Sequence, residues 1–272
     1  MGNFITSIKV NHIFHLENFC IPISENEKKH LIITGKNGSG KTILLNAIVE
    51  HLSQVCNDKM LSFLDLKKNL ESNQAWLQQA ETTGDSKSIA SGQNNVEYYK
   101  NRIEEFYGKV ELSFHDIYSI SKDFFSQNFI IAYYADERKS LFVEPKNPVK
   151  PDLKMKTDLK HNKVDQFLNF MVDCKVQEAL ARNEGKTEDA DYIRQWFVGF
   201  RNILRQIFDD TTLELDFNYK DYSFLIQTRG KSFKFTELSA GYSAALDIVA
   251  DLILKMQSQN MWSVHTRKKE LC

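Results

Sequence analysis

The residues between positions 35 and 42 have the types and the spacing of a loop that binds phosphate. Gly35 is followed, after four residues, by Gly40, Lys41 and Thr42. Glycines in such a loop let the backbone turn its N–H groups inward around phosphate oxygens. A lysine at this position can reach the β- and γ-phosphates of a nucleotide, and the threonine hydroxyl can ligate Mg²⁺. The candidate nucleotide-binding residues of the loop are Gly35, Asn37, Gly38, Ser39, Gly40, Lys41 and Thr42.

The flanking sequence supplies the elements that must position this loop. An apolar run from Leu31 to Ile33 predicts a buried strand before it. Strand, glycine loop and helix is the context that a phosphate-binding loop requires. All the fixed positions match in this context, so a plain glycine-rich turn is the weaker interpretation and we predict nucleotide binding. The apolar residues after the loop recur at helical spacing and are Leu44, Leu45, Ile48, Val49 and Leu52.

A second loop, residues 238–243, reads Leu-Ser-Ala-Gly-Tyr-Ser and precedes another predicted helix. Free N–H groups at the helix start, the hydroxyl of Ser239 and a close approach at Gly241 would together make an anion site. Taken alone, the pattern favours a simpler interpretation, in which Ser239 is only the N-cap of the helix. The two loops together carry more information than either does separately.

The order of features along the chain resembles the head domain of ABC-type ATPases. More narrowly, it is similar to the heads of the SMC and RecF class, AAA family ATPases that serve DNA repair and many bacterial anti-phage defence systems. The resemblance extends from Ile5 to Lys255. It implies an α/β fold of the P-loop NTPase type, with a Walker A loop at residues 35–42, an antiparallel β edge and an α-helical subdomain that carries the signature motif.

The resemblance also implies roles for the second loop. In the family the signature motif is Leu-Ser-Gly-Gly-Gln, and here Ala240 and Tyr242 replace the first Gly and the Gln. The retained Ser239 and Gly241 would touch the γ-phosphate held by the opposite head. The resemblance therefore implies ATP and Mg²⁺ as cofactors and a homodimer of heads that forms when ATP binds.

Two departures from the family pattern concern the carboxylates. The family has a Gln at the end of the strand before the helical subdomain, whereas residues 134–138 read Tyr-Ala-Asp-Glu-Arg. An apolar Walker B strand ending in Asp-Glu is expected after the signature helix, but residues 262–272 are polar and patternless. Residues 129–137 are an alternative Walker B strand, with Asp136 on Mg²⁺ and Glu137 polarising water. We favour the interpretation that residues 129–137 are instead the family's strand before the helical subdomain. We therefore expect a C-terminally incomplete head of residues 1–272 that hydrolyses ATP poorly alone.

Three functions follow from these patterns. The favoured one is an ATP-binding head, with Lys41 as a catalytic residue, that couples ATP binding, hydrolysis and dimerisation to DNA processing or to a defence effector such as a nuclease. The alternative is a regulatory subunit that senses the nucleotide without cleaving it. A P-loop kinase for a small metabolite is disfavoured, because the insertions are typical of arms rather than of a substrate lid.

The rest of the sequence predicts the surrounding elements. We expect strands at residues 5–10 and 19–23, and Phe14 or His15 in the link between them could stack on a nucleotide base. Residues 52–107 predict a helical hairpin inserted in the domain, with the first helix running on to Trp76 and a polar, flexible tip around Gly84 to Gly92. Residues 109–114 predict a strand, 160–210 a helical subdomain and 213–235 an antiparallel meander.

Bulk composition restricts the remaining possibilities. A net charge of −1 does not favour nucleic-acid binding by the whole surface, so any DNA contact would be a local patch. The chain has no long apolar run and no signal-peptide pattern at its start, so we expect no membrane partner. The four cysteines are scattered without metal-ligand spacing, which is typical of a cytoplasmic protein.

Overall fold

The structure is a computed structural model that describes residues 3–58, 60–126, 129–134, 142–151 and 163–257. Within these ranges the fold is mixed α/β, with seven α-helices and two antiparallel sheets of three strands each. The described residues up to Ile131 form one compact unit, and those from Ala132 onward form a second. The general α/β prediction is confirmed for these residues.

The sheet of the first unit contains β1 (Ile5–Ile13), β2 (Leu16–Pro22) and β3 (Val110–Phe114) in the order β2-β1-β3. The expected hairpin is confirmed and is longer than predicted, with Ile8 opposite Ile21. One face of this sheet packs on α1 (Lys41–Asn57), the helix that follows the glycine loop. The buried residues of this core are Ile8, Val10, Ile13, Leu44, Ala47, Val110 and Leu112. The sheet therefore fixes the helix that carries Lys41.

The predicted strand before the loop was wrong. Residues 31–33 form no strand, and the side chains of Leu31 and Ile32 are 41% and 83% exposed. A strand exists only where a neighbour accepts and donates its backbone hydrogen bonds, and none of the described strands pairs with this segment, although Ile33 packs against their core. The apolar run at residues 129–134 is also not a strand, for the same reason, and Asp136 and Glu137 lie outside the described residues.

The helix after the loop does not run on to Trp76 but ends at Asn57. The Asp58 carboxylate accepts hydrogen bonds from the backbone N–H groups of Met60 and Phe63 and from the Ser62 hydroxyl. Leu61 then adopts a left-handed conformation with φ 51°. A short polar side chain that bonds to the backbone ahead of it competes with continuation of a helix, and here it redirects the chain.

Residues 66–107 form a helical hairpin. It consists of α2 (Leu66–Thr83) and α3 (Ser86–Tyr107), joined by Gly84 with φ 72° and by Asp85, which caps α3 through the Lys87 N–H. The turn is tight, whereas the sequence predicted a flexible tip extending to Gly92. The serines after Gly84 lie inside α3 because Asp85 satisfies its first turn. The strand β3 follows, and α4 (Ile117–Phe125), capped by Asp116, ends this part of the first unit.

The second unit contains α5 (Phe167–Asn183), α6 (Thr187–Phe208) and α7 (Ala240–Gln257). Between α6 and α7 lies the meander β4 (Glu214–Asn218), β5 (Ser223–Thr228) and β6 (Lys231–Lys234). Helices and meander agree with the sequence prediction. Their shared core is dominated by aromatic rings, and its largest fully buried side chains include Phe167, Phe170, Phe224, Phe235, Leu204 and Leu246.

Candidate functional site

The glycine loop has the backbone conformation that its sequence predicts. Gly38 and Gly40 have φ 81° and 88°, and Gly35 is nearly extended at 158°. Gly40 is also the N-cap of α1, and its carbonyl accepts a hydrogen bond from the Leu44 N–H at 2.9 Å. Left-handed glycines allow the tight turn that phosphate-binding loops need, and here the Ser39 N–H closes the turn by donating to the Lys36 carbonyl at 3.2 Å.

Lys41 folds back over this loop. Its Nζ donates to the carbonyl oxygens of Gly35 at 2.8 Å and of Lys36 at 2.9 Å. An ammonium group has three donors, so two of them hold the loop closed upon itself and one is left for a ligand. The contact brings the positive charge to the start of the loop, although Lys41 lies at its end in the sequence.

No negatively charged side chain of the helix itself caps the start of α1. The helix has no side-chain cap and no acidic residue in its first turn, and Asn37, Ser39 and Thr42 are exposed. By contrast, the starts of α3 and α4 are occupied by the carboxylates of Asp85 and Asp116. The first N–H groups of a helix have no partner within the helix and carry its positive end. The start of α1 can therefore accept an anion from outside the chain.

The tip of the β1–β2 hairpin lies against the loop. A Cβ built on Gly40 would be 3.3 Å from the His15 ring and 3.1 Å from Leu16 Cδ1. The neighbouring Phe14 is 75% exposed, has φ 56° and meets the His15 ring edge-on at 5.3 Å between centroids. A bulky residue in the left-handed region is uncommon and costs free energy. The tip thus places an aromatic pair beside the loop, a neighbourhood that the sequence suggested but could not locate.

The second predicted anion loop lies at the start of α7, in the second unit. Ser239 and Gly241 are exposed, and no heavy atom lies within 4 Å of a Cβ built on Gly241. The Ser239 carbonyl accepts the Ser243 N–H at 2.9 Å, so the helix begins directly after Ser239. Tyr242, which replaces the Gln of the resembled motif, stacks on Phe208 with 4.3 Å between ring centroids. This stacking ties the helix start to α6.

A polar cluster inside the second unit was not predicted from the sequence. Asp251, in the middle of α7, is 0% exposed and accepts from the Tyr134 hydroxyl at 2.9 Å and from Lys255 Nζ at 2.6 Å. The backbone N–H of Lys163 lies 3.4 Å from the other carboxylate oxygen of Asp251. Burial, and then the Asp251 charge, raise the pKa of Tyr134 above its ordinary range. The signal was present as Asp251 and Lys255 spaced by four residues in the most apolar part of α7.

The predicted site residues are therefore divided between the two units, and Asp136 and Glu137 lie outside the described ranges. Among the described residues, no group of three or more His, Cys, Asp or Glu side chains could hold a metal ion by itself. The helices described here include none that is both long and apolar enough to cross a bilayer. A scan against models of protein families gave no match, and searches of curated proteins and of solved structures gave no significant match.

Proposed function

We propose that this chain is an ATP-binding head that holds the nucleotide phosphates in the loop at residues 35–42. The observation that supports this most directly is the Lys41 ammonium, which lies 2.8 Å from the Gly35 carbonyl and next to the open start of α1. A positive charge, a glycine turn and a helix N-terminus close together in the chain suit a polyphosphate. Asn37 and Ser39, both exposed, would line the same loop.

The cofactors in this proposal are ATP and Mg²⁺. Thr42 is exposed in the first turn of α1, so its hydroxyl fits as a protein ligand for the ion, with phosphate and water oxygens completing the shell. The ion would neutralise charge on the phosphates, as Lys41 does from the protein side. Phe14 and His15 would give the base an aromatic surface, since stacking of bases on aromatic rings contributes about 1–3 kcal/mol per base.

The proposal extends to a homodimer of heads that forms on ATP binding. Ser239 and Gly241 are exposed at the start of α7, which has no acidic residue in its first turn. In a second copy of the chain they would contact the γ-phosphate and close the site. ATP-dependent association of this kind would be coupled to DNA processing or to an effector protein such as a nuclease.

Nucleotide binding is tested with two matched lysine variants. Lys41→Ala should weaken the affinity for an ATP analogue by at least tenfold, because a charge-assisted hydrogen bond is worth about 1.5–3 kcal/mol. Lys36→Ala removes the same charge from the same loop but leaves the Lys41 contacts in place, and it should bind within about threefold of the wild type. Equal affinities of the wild type and Lys41→Ala, measured by titration calorimetry, would refute the proposal.

Dimerisation is tested by adding bulk and charge at the second loop. Ser239→Arg should retain nucleotide affinity but lose association with a slowly hydrolysed ATP analogue. Ser232→Arg, which makes the same change at an exposed position of β6, is the control and should dimerise normally. Light scattering with and without the analogue measures this, and identical dimer fractions for both variants would count against the dimer.

A second candidate function is nucleotide sensing without hydrolysis. It is favoured by the segment that leads into the loop, because Leu31 and Ile32 are exposed and residues 31–33 pair with none of the described strands, so the strand expected before the loop of an ATPase is not formed there. A phosphate-release assay separates the two functions. Turnover that is lost in Lys41→Ala and in Glu137→Gln would support an ATPase in which Glu137 polarises water. Tight binding without turnover would support the sensor.

A further inference from the structure

The fully buried Asp251 connects three parts of the second unit. It accepts the Tyr134 hydroxyl at 2.9 Å, the Lys255 ammonium at 2.6 Å and, more weakly, the Lys163 N–H at 3.4 Å. The Tyr134 hydroxyl also lies 3.4 Å from the Ile248 carbonyl, one turn earlier on the same helix. A buried carboxylate is tolerated only when it is paired and hydrogen-bonded. The cluster is therefore a specific anchor of Tyr134 on α7.

The place of Tyr134 in the chain gives this anchor its importance. The chain leaves the first unit at Ile131, enters the second at Ala132, and reaches Tyr134 two residues later. Tyr134 is hydrogen-bonded to α7, the helix that begins directly after Ser239. A helix behaves as a rigid rod over this distance, rising about 1.5 Å per residue. Whatever holds Asp251 therefore also sets where the Ser239 end of α7 lies.

We propose that Asp251 and Tyr134 are positioning residues that couple the connection between the two units to the anion loop at Ser239 and Gly241. The start of α7 has its own contact, the stacking of Tyr242 on Phe208, which ties it to α6. Two contacts separated along one helix fix its axial position as well as its orientation. This inference rests on the proposed function in one respect, which is that the start of α7 at Ser239 binds a phosphate.

The anchor predicts how amide exchange will respond to the loss of one hydroxyl. Tyr134→Phe keeps the ring and removes only the donor to Asp251. Without nucleotide, the backbone amides of residues 243–250 should exchange about tenfold faster, because a hydrogen bond to a charged group is lost from a local unfolding equilibrium. Amides of α6 should be unchanged. Tyr192→Phe, on the exposed face of α6, is the matched control and should exchange like the wild type.

A second measurement asks whether the anchor acts on association. Tyr134→Phe and Asp251→Asn should each reduce dimerisation with an ATP analogue by about tenfold, while the analogue binds the dilute monomer as tightly as before. The double variant should lose no more than Asp251→Asn alone, because Tyr134 acts through Asp251, whereas Asp251→Asn also changes the contacts to Lys255 and Lys163. A general loss of stability would instead lower affinity and association together.

The outcomes separate this inference from the proposed function. Exchange of residues 243–250 within twofold of the wild type in Tyr134→Phe would overturn the anchor, whether or not nucleotide binds. Faster exchange with unchanged dimerisation would overturn the coupling. If the wild type neither binds nucleotide nor dimerises, the proposed function fails. The amide exchange of Tyr134→Phe still shows whether the bond from Tyr134 to Asp251 holds α7. Tyr134→Phe decides the question alone if Asp251→Asn does not fold.

Discussion

Gly40 is constrained both by its backbone conformation and by its neighbours, and Gly38 by its conformation alone. Both have left-handed φ values, yet a Cβ on Gly40 would meet Leu16 and His15, whereas nothing lies within 4 Å of a Cβ on Gly38. We expect Gly38→Ala to cost about 1–2 kcal/mol in stability from the left-handed backbone. Gly40→Ala should cost more, because the hairpin tip must also move. Urea unfolding compares the two, and equal losses would argue against contact between tip and loop.

His51 predicts a pH dependence of the stability of the first unit. Its Nδ1 lies 3.0 Å from the Phe106 carbonyl and its Nε2 accepts the Leu112 N–H at 3.4 Å, so the buried ring is held neutral. Burial lowers its pKa below the ordinary value of 6.5. As the pH falls, the unfolded chain therefore binds this proton before the folded chain does. The free energy of unfolding should be unaffected by His51 above pH 6.5 and should decrease below it, by at most about 1.36 kcal/mol per pH unit.

The variant His51→Gln tests this assignment. It removes the titrating group, so the free energy of unfolding should lose the part of its pH dependence that lies between pH 6.5 and the lower folded pKa. His30→Gln, at an exposed position, should keep the wild-type profile. Urea unfolding between pH 5 and 7.5 is the measurement. A wild-type profile in His51→Gln would mean that another group is responsible.

Two helical glycines with different surroundings lead to predictions of opposite sign. Gly92 of α3 is buried, and a Cβ there would lie 3.0 Å from Leu77 and Trp76 of α2. Gly92→Val should therefore separate the hairpin and cost about 1–3 kcal/mol. Gly199 of α6 is exposed with open space around it, so Gly199→Ala should stabilise by about 0.5–1 kcal/mol through helix propensity. Thermal unfolding checks both signs.

Exposed apolar side chains near the loop predict that the molecules associate with one another. Leu31, Ile32, Ile43 and Leu45 are all exposed in the first unit, and the backbone at residues 31–33 is not paired in a sheet. A group of exposed apolar side chains is a site for association between chains. Ile32→Thr should therefore lower the concentration-dependent mass measured by light scattering. Tyr219→Thr, at an exposed site of the second unit, should leave it unchanged.

Local chemistry determined much of this protein from its sequence. Left-handed glycines at 38 and 40, the helix start at Lys41 and the helix start after Ser239 follow from residues within a few positions of each other. The same holds for the β1–β2 hairpin and for α5 and α6, because helix and turn contacts join near neighbours in the chain. For this reason the candidate phosphate loop was predicted residue by residue.

Only the tertiary structure decided which distant segments meet. The apolar run at residues 31–33 was predicted as a strand, but a strand requires a neighbour, and no local pattern supplies one. The contact of His15 with Gly40 and the bond of Tyr134 to Asp251 likewise join residues far apart in sequence. The spacing of Asp251 and Lys255 indicates a pair on one helix face, but it does not identify Tyr134 as their partner. Their burial and hydrogen bonds appear only when the chain is folded, because these interactions depend on separation in space and not along the chain.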